Sequence, residues 1–228
     1  MNYANVKKGI FLRRPNRFIA IVNIDGRNET VHVRNTGRCM ELLIPGTPVI
    51  VVEAENPNRK TKFSLVSVNK GGRLINIDST IPNDVIYEGI QADKVKCLEN
   101  TTLLKREVSY KNSRFDIFFE SHHACGFVEV KGVTLEKDNI ALFPDAPTVR
   151  GTKHIYEMID AFYAGYKGYI LFLIQMKDVR YFIPNHEMDP VFSKALTEAK
   201  GVGVKILAYD SLITENTIIL GDPVETKI

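Results

Sequence analysis

The chain predicts a mixed α+β protein: an OB-like β-barrel followed by an α/β half with a central mixed sheet. Three observations predict this. From Gly9 to Asp78, short apolar runs alternate with turn residues and no long helical pattern interrupts them. After Asp78 the period changes, and helical stripes alternate with strands. The charge balance changes as well: residues 1–80 carry 13 Lys and Arg against 6 Asp and Glu, whereas residues 81–228 carry 17 against 21. The predicted units are therefore 1–80 and 81–228.

In the first unit the strands are GIFLRR, RFIAIVNI, ETVHVRN, TPVIVVEAE, KFSLVSVNK and RLINID, separated by DGRN, PG, NPNRK and KGG turns. Between the third and fourth, Asn35 or Thr36 is placed to cap a short helix from Arg38 to Leu43, stopped by Pro45 and Gly46. Five or six strands around one short helix suggest a small OB-like barrel, an architecture that binds oligonucleotides through basic and aromatic side chains. Arg13, Arg14, Arg17, Phe18, Arg34, Arg38, Arg59, Lys60 and Lys62 supply that chemistry. The plainer alternative is a barrel merely solvated by scattered cations. Arg34 and Arg38 stand out because they bracket the Asn35-Thr36-Gly37 turn.

The second unit opens with a helix from about Asn83, its apolar stripe formed by Val85, Ile86, Gly89 and Ile90. TLLKREVSY and the hairpin SRFDIFFESHHACGFVEVKGVTL add three strands, and after FPDAP a helix runs from Thr148 to Ala164. GYILFLIQ is a buried strand, DPVFSKALTEAKG a helix ending at Gly201, and VKILAYDSLI another strand. In the helix after FPDAP, Ile155, Met158, Ile159 and Phe162 form the sheet-facing stripe. Arg150, Lys153, His154 and Glu157 repeat the spacing about 140° away. That second stripe is either a solvated face or a cationic wall for a phosphodiester.

With 228 residues and 44% hydrophobic content, the chain can bury one large core or two modest ones. No apolar run approaches the ~20 residues of a membrane helix, and MNYANVKKGIF does not read as a secretory signal, so a cytoplasmic, membrane-free setting is expected. Cys39, Cys97 and Cys125 are odd in number and widely spaced, which suits reduced, structural thiols. HHAC in a turn lacks the second cluster that a zinc site needs. No GxSxG, P-loop or GxGxxG is present.

The informative stretch is the hairpin from Ser113 to Leu135. Strand alternation puts Glu129 and Lys131 on one face, with Val128 and Val130 on the other. A turn centred between His122 and His123 pairs Phe118 with Phe127 and Asp116 with Glu129. Two carboxylates facing each other across a ladder destabilise it unless something compensates. A hard divalent cation such as Mg²⁺, which takes one or two carboxylates and keeps waters and phosphate oxygens, is one solution. Pairing of Lys131 with one acid at a solvated edge is the other.

The α-β-β-β-α-β order with D…ExK on the second and third strands resembles the PD-(D/E)xK nuclease superfamily. Longer segments, NTGRCMELLIPG, EVSYKNSRFDIFF, VEVKGVTL, FPDAPTVRGTKHIYEM and GVGVKILAY, resemble the sugar fermentation stimulation protein family over about residues 10 to 210. This resemblance implies an OB-like domain, a nuclease-like domain, DNA binding with little sequence preference, and a link to sugar (maltose) metabolism. It puts Asp116, Glu129 and Lys131 on the motif positions, with Glu88 and Glu107 as auxiliary acids. KHIYEM departs from the family's KHLxEL by Ile155 and Met158, which keeps the face apolar.

The leading expectation is therefore metal-dependent hydrolysis of phosphodiesters in DNA, with RNA as an alternative substrate. Asp116, Glu129 and the Val130 carbonyl would hold Mg²⁺ or Mn²⁺, Glu107 or Glu88 would complete the outer shell, and Lys131 would act electrostatically. Arg150, Lys153 and His154 would grip the backbone. The rivals are a non-catalytic DNA-binding regulator and an enzyme acting on a small phosphorylated substrate. Association into a homo-oligomer is left open.

Overall fold

A computed structural model describes residues 1–35, 37, 39–56 and 58–228. The alternating burial that a one-sided strand requires is plain in β2 (Ile19–Ile24), where Ala20, Val22 and Ile24 point inward. It is flanked by β1 (Val6–Asn16) and β3 (Arg27–Val33). Asp25 (φ 51°) and Gly26 (φ 80°) make the two-residue turn between β2 and β3, both in the left-handed region that tight hairpins demand. Strands β4 (Pro48–Glu53), β5 (Phe63–Lys70) and β6 (Arg73–Asn76) follow, in the order β3-β2-β1-β4-β5-β6. A parallel pairing of Val31–Val33 with Phe63–Leu65 closes the first five strands into a barrel.

The helix expected from Arg38 to Leu43 is not present in the described part of that segment. Cys39–Leu43 forms a single turn, in which the Cys39 carbonyl accepts from the N–H groups of Leu42 and Leu43. The stretch before Pro45 is too short to propagate a helix once nucleated. Arg38 and Thr36 lie outside the described residues. The Cys39 side chain is buried there, and burial, reinforced by Glu41, pushes its thiol up to about 12.

The second half is a six-stranded sheet in the order β15-β14-β12-β9-β8-β7: β7 (Leu103–Tyr110), β8 (Ser113–Glu120), β9 (Cys125–Val133), β12 (Lys167–Ile174), β14 (Lys205–Ile213) and β15 (Ile218–Val224). β9, β12 and β14 are parallel, and β7, β8 and β9 form an antiparallel meander. β12 is buried at seven of its eight positions, because it is central and covered on both faces. Helix α1 (Pro82–Gln91) covers one face through Val85, Ile86 and Ile90. Gly89 allows this approach, since a Cβ there would lie 2.4 Å from Leu220. Helices α2 (Val149–Tyr163) and α3 (Pro190–Val202) cover the other face through Ile155, Met158, Phe192 and Leu196. Thr148 caps α2 by accepting from the Gly151 N–H, and Asp189 caps α3 by accepting from that of Phe192.

A small three-stranded sheet, β10 (Leu135–Lys137), β11 (Ile140–Phe143) and β13 (Tyr181–Pro184), was not anticipated, nor was β15. The two halves meet along a polar seam. The Asn76 N–H donates to the Gln175 carbonyl at 2.9 Å, and Gln175 Nε2 donates to Asn76 Oδ1 (2.8 Å) and to the Asp78 carbonyl (3.1 Å).

Candidate functional site

The site grows from a defect in the sheet. The β8–β9 ladder follows the expected register, with Phe118 opposite Phe127, but its pairing runs only from Glu120↔Cys125 to Ile117↔Val128. Beyond it the Asp116 side chain takes over, and Oδ2 accepts the Val130 N–H at 2.7 Å. Oδ1 accepts from Asn83 Nδ2 of α1 at 2.8 Å. Strand alternation then carries Glu129 and Lys131 to the α2 face, with Val128 and Val130 on the α1 face.

Glu129 is 2% exposed. Its Oε1 accepts from Lys131 Nζ at 2.5 Å and meets His154 Nδ1 at 2.5 Å, while Oε2 is buried with no hydrogen-bond partner among the described residues. Burial alone would raise this carboxyl, but the His154 hydrogen bond and the Lys131 charge together hold it below its ordinary value. Asp116 goes the other way: burial, then the negative charge of Glu129, push it up to about 6 against the Val130 N–H, Lys131 and Asn83. The two acids thus share one electrostatic environment, and Lys131 is bonded to one of them.

The donor set fits a hard divalent cation. Two carboxylates are all that Mg²⁺ requires of a protein when waters and phosphate oxygens fill the remaining positions. The buried, unpartnered Oε2 is an acceptor in need of a positive neighbour.

Not every expected residue is part of this constellation. Glu88 Oε2 bonds the Met1 ammonium at 2.7 Å, and Glu107, at φ 55°, is half exposed and paired with Arg114 at 2.7 Å. Among the described residues no group of three or more His, Cys, Asp and Glu is arranged to hold a metal, so neither acid joins the pair. Val130, whose carbonyl is the expected third donor, is the residue whose N–H anchors Asp116.

His154 does not belong to an exposed stripe. It is 7% exposed, because it lies one turn before Met158 on the inner side of α2. Arg150 and Lys153 are exposed, and Lys153 Nζ donates to the Asn112 carbonyl at 3.2 Å. On the barrel, Arg14 is spent on main-chain carbonyls of Gly37 (2.9 Å), Arg17 (2.6 Å) and Asn35 (2.8 Å). Arg34 pairs with the fully buried Asp78 at 3.2 Å. Arg13 and Arg17 are exposed, and the Arg17 guanidinium lies 4.8 Å from the ring centre of the exposed Phe18. Arg38 is outside the described residues. Asn83 was missed altogether; an Asn behind a helix-opening Pro carries no signal that distinguishes it from an ordinary first-turn residue.

The fold defines a class: an OB barrel followed by a PD-(D/E)xK nuclease-like domain with a central mixed sheet. The "SfsA N-terminal OB domain" matches residues 12–77, and the "Sugar fermentation stimulation protein RE domain" matches residues 80–217. The chain belongs to the sugar fermentation stimulation protein family. A homolog of that name from Alkaliphilus oremlandii is 55% identical, covering 99% of this chain and 98% of the relative. One from Ruminiclostridium cellulolyticum is 53% identical over the full length of both. A solved structure described as Pyrococcus furiosus SfsA in complex with Ca²⁺ superposes with a TM-score of 0.91 at 31% identity, covering 100% of this chain and 98% of the other. Among the described residues no helix is long and apolar enough to cross a membrane.

Proposed function

We propose that this protein binds nucleic acid, DNA in the first instance, and hydrolyses its phosphodiesters with a divalent cation held by Asp116 and Glu129. The observation that carries the reading is the pair of half-buried Asp116 and buried Glu129, in which one Glu129 oxygen has no hydrogen-bond partner among the described residues. Mg²⁺ or Mn²⁺, when bound, supplies Lewis-acid polarisation of the phosphate and a water of lowered pKa. The related Pyrococcus furiosus protein was solved in complex with Ca²⁺, which supports the choice of a hard cation. In this reading Asn83 and the Val130 N–H orient Asp116, and Lys131, fixed beside Glu129, offsets negative charge developing on the phosphate. Arg13, Arg17 and Phe18 of the barrel, with Arg150 and Lys153 of α2, are the exposed groups that would contact the strand. A cytoplasmic setting is supported by the three free cysteines.

A second reading has its own support: Lys131 satisfied by Glu129 at 2.5 Å is also what an idle structural pair needs. The protein would then be a non-catalytic, largely sequence-nonspecific DNA-binding regulator linked to sugar metabolism. Labelled single- and double-stranded DNA incubated with wild type and Lys131→Ala, in Mg²⁺, Mn²⁺ or EDTA, separates the two. Metal-dependent products from wild type and few from the variant support hydrolysis. Equal retardation of DNA by both proteins without products in any condition supports the regulator.

A further inference from the structure

The two oxygens of Glu129 are treated unequally. Oε1 is shared by Lys131 Nζ and His154 Nδ1, each at 2.5 Å, whereas the buried Oε2 meets no hydrogen-bond partner among the described residues. Against an ionised carboxylate, His154 Nδ1 must be the protonated nitrogen, so it donates and Oε1 accepts. The two donors differ in kind. Lys131 stands two residues away on the same strand and carries a flexible four-carbon stem. His154 comes from another layer of the molecule, 25 residues on, and presents a rigid ring.

Its seat is well defined. Thr148 caps the helix that carries it, Met158 follows one turn later on the same buried side, and the Phe115 ring stands edge-on at 6.5 Å. At 7% exposure the ring is not a surface contact for a phosphodiester.

We infer that His154 is a positioning residue for the acid pair: by occupying Oε1 it fixes the Glu129 rotamer and leaves Oε2 as that residue's one donor to a divalent cation. The inference rests on the reading of Asp116 and Glu129 as cation ligands. An outer group that orients a ligand in this way changes metal affinity even before any reaction is measured.

The test is calorimetric titration of the full chain with Mn²⁺, using wild type, His154→Ala, His154→Asn and His154→Gln, each checked for folding by circular dichroism. Asn places its amide nitrogen where Nδ1 lies; Gln places it a bond further out. Wild type should bind Mn²⁺, Ala should weaken binding by about 10–100-fold, and Asn should restore most of the loss. Wild-type affinity in His154→Ala would overturn the inference and leave the cation reading standing. Should the Ala variant not fold, Asn binding no tighter than Gln would overturn it equally. A wild type that takes up no Mn²⁺ would remove the cation reading itself, and this inference with it.

Discussion

Charged residues meet opposite fates in the two halves. On the barrel, Arg13 and Arg17 lie in solvent, while Arg14 has turned inward to hold three carbonyls of the neighbouring loops. In the sheet, Glu129 is buried and Asp116 largely so, and their partners come from three different elements. A surplus of Lys and Arg in the first eighty residues therefore does not say which of them a ligand can reach. For Asp116 and Glu129 it is burial that marks the charge as costly, and a costly charge is retained for chemistry or for a specific structural purpose.

The largest effect expected in the sheet is on turnover. On the hydrolytic function proposed above, Lys131→Ala should lower metal-dependent cleavage by about 10²–10³-fold, the cost of removing one stabilising electrostatic group, with DNA retardation little changed. An equal loss in an Arg17 variant would erase the contrast between the halves.

The next is a stability profile, read by urea unfolding in EDTA. Asp116 sits at about 6 when folded against 3.8 ordinarily, so between these values the folded chain holds a proton that the unfolded chain has released. Stability should therefore fall as pH rises through that window, by on the order of 3 kcal/mol, and Asp116→Asn should flatten the fall. Glu129, held low, contributes with the opposite sign: its share is present above its ordinary value of 4.5 and is lost as pH drops below it.

On the barrel, Phe18→Ala should weaken single-strand binding by about 1–3 kcal/mol if the ring serves as a stacking platform. Smallest and most diagnostic is the pair Arg14→Ala and Arg17→Ala. Arg17 should reduce the slope of log affinity against log salt by about 1, while Arg14 should lower folding stability by about 1–2 kcal/mol and leave that slope unchanged.

The strand pattern of the barrel and the apolar faces of α1 and α2 could be read directly, because strand alternation and helical spacing survive in the sequence. The run of strands around one short turn pointed to a barrel, but not to the pairing that closes it, since nothing local announces that Val31–Val33 will pair with Phe63–Leu65. β10, β11 and β13 are only 3–4 residues long, below the length at which alternation is informative. At the site, Glu129 and Lys131 share a face as strand period predicts, whereas the expected pairing of Asp116 with Glu129 is absent from the ladder, because the Asp116 side chain takes the Val130 N–H instead. His154 was misplaced, since a polar residue at the margin of an apolar stripe looks like the beginning of the wet side. Glu88 and Glu107 were drawn in by resemblance, and their carboxylates are engaged elsewhere.

The amide of Gln175 has a mechanical consequence. One side chain reaches two acceptors across the seam, beside a main-chain bond that runs the opposite way. Barrel and sheet are thereby latched like the jaws of a caliper set to a single gap. On the function proposed above, a strand gripped by Arg17 and Phe18 between β1 and β2 would reach the acids at a constant span, and the lengths of any fragments would carry that span as their signature.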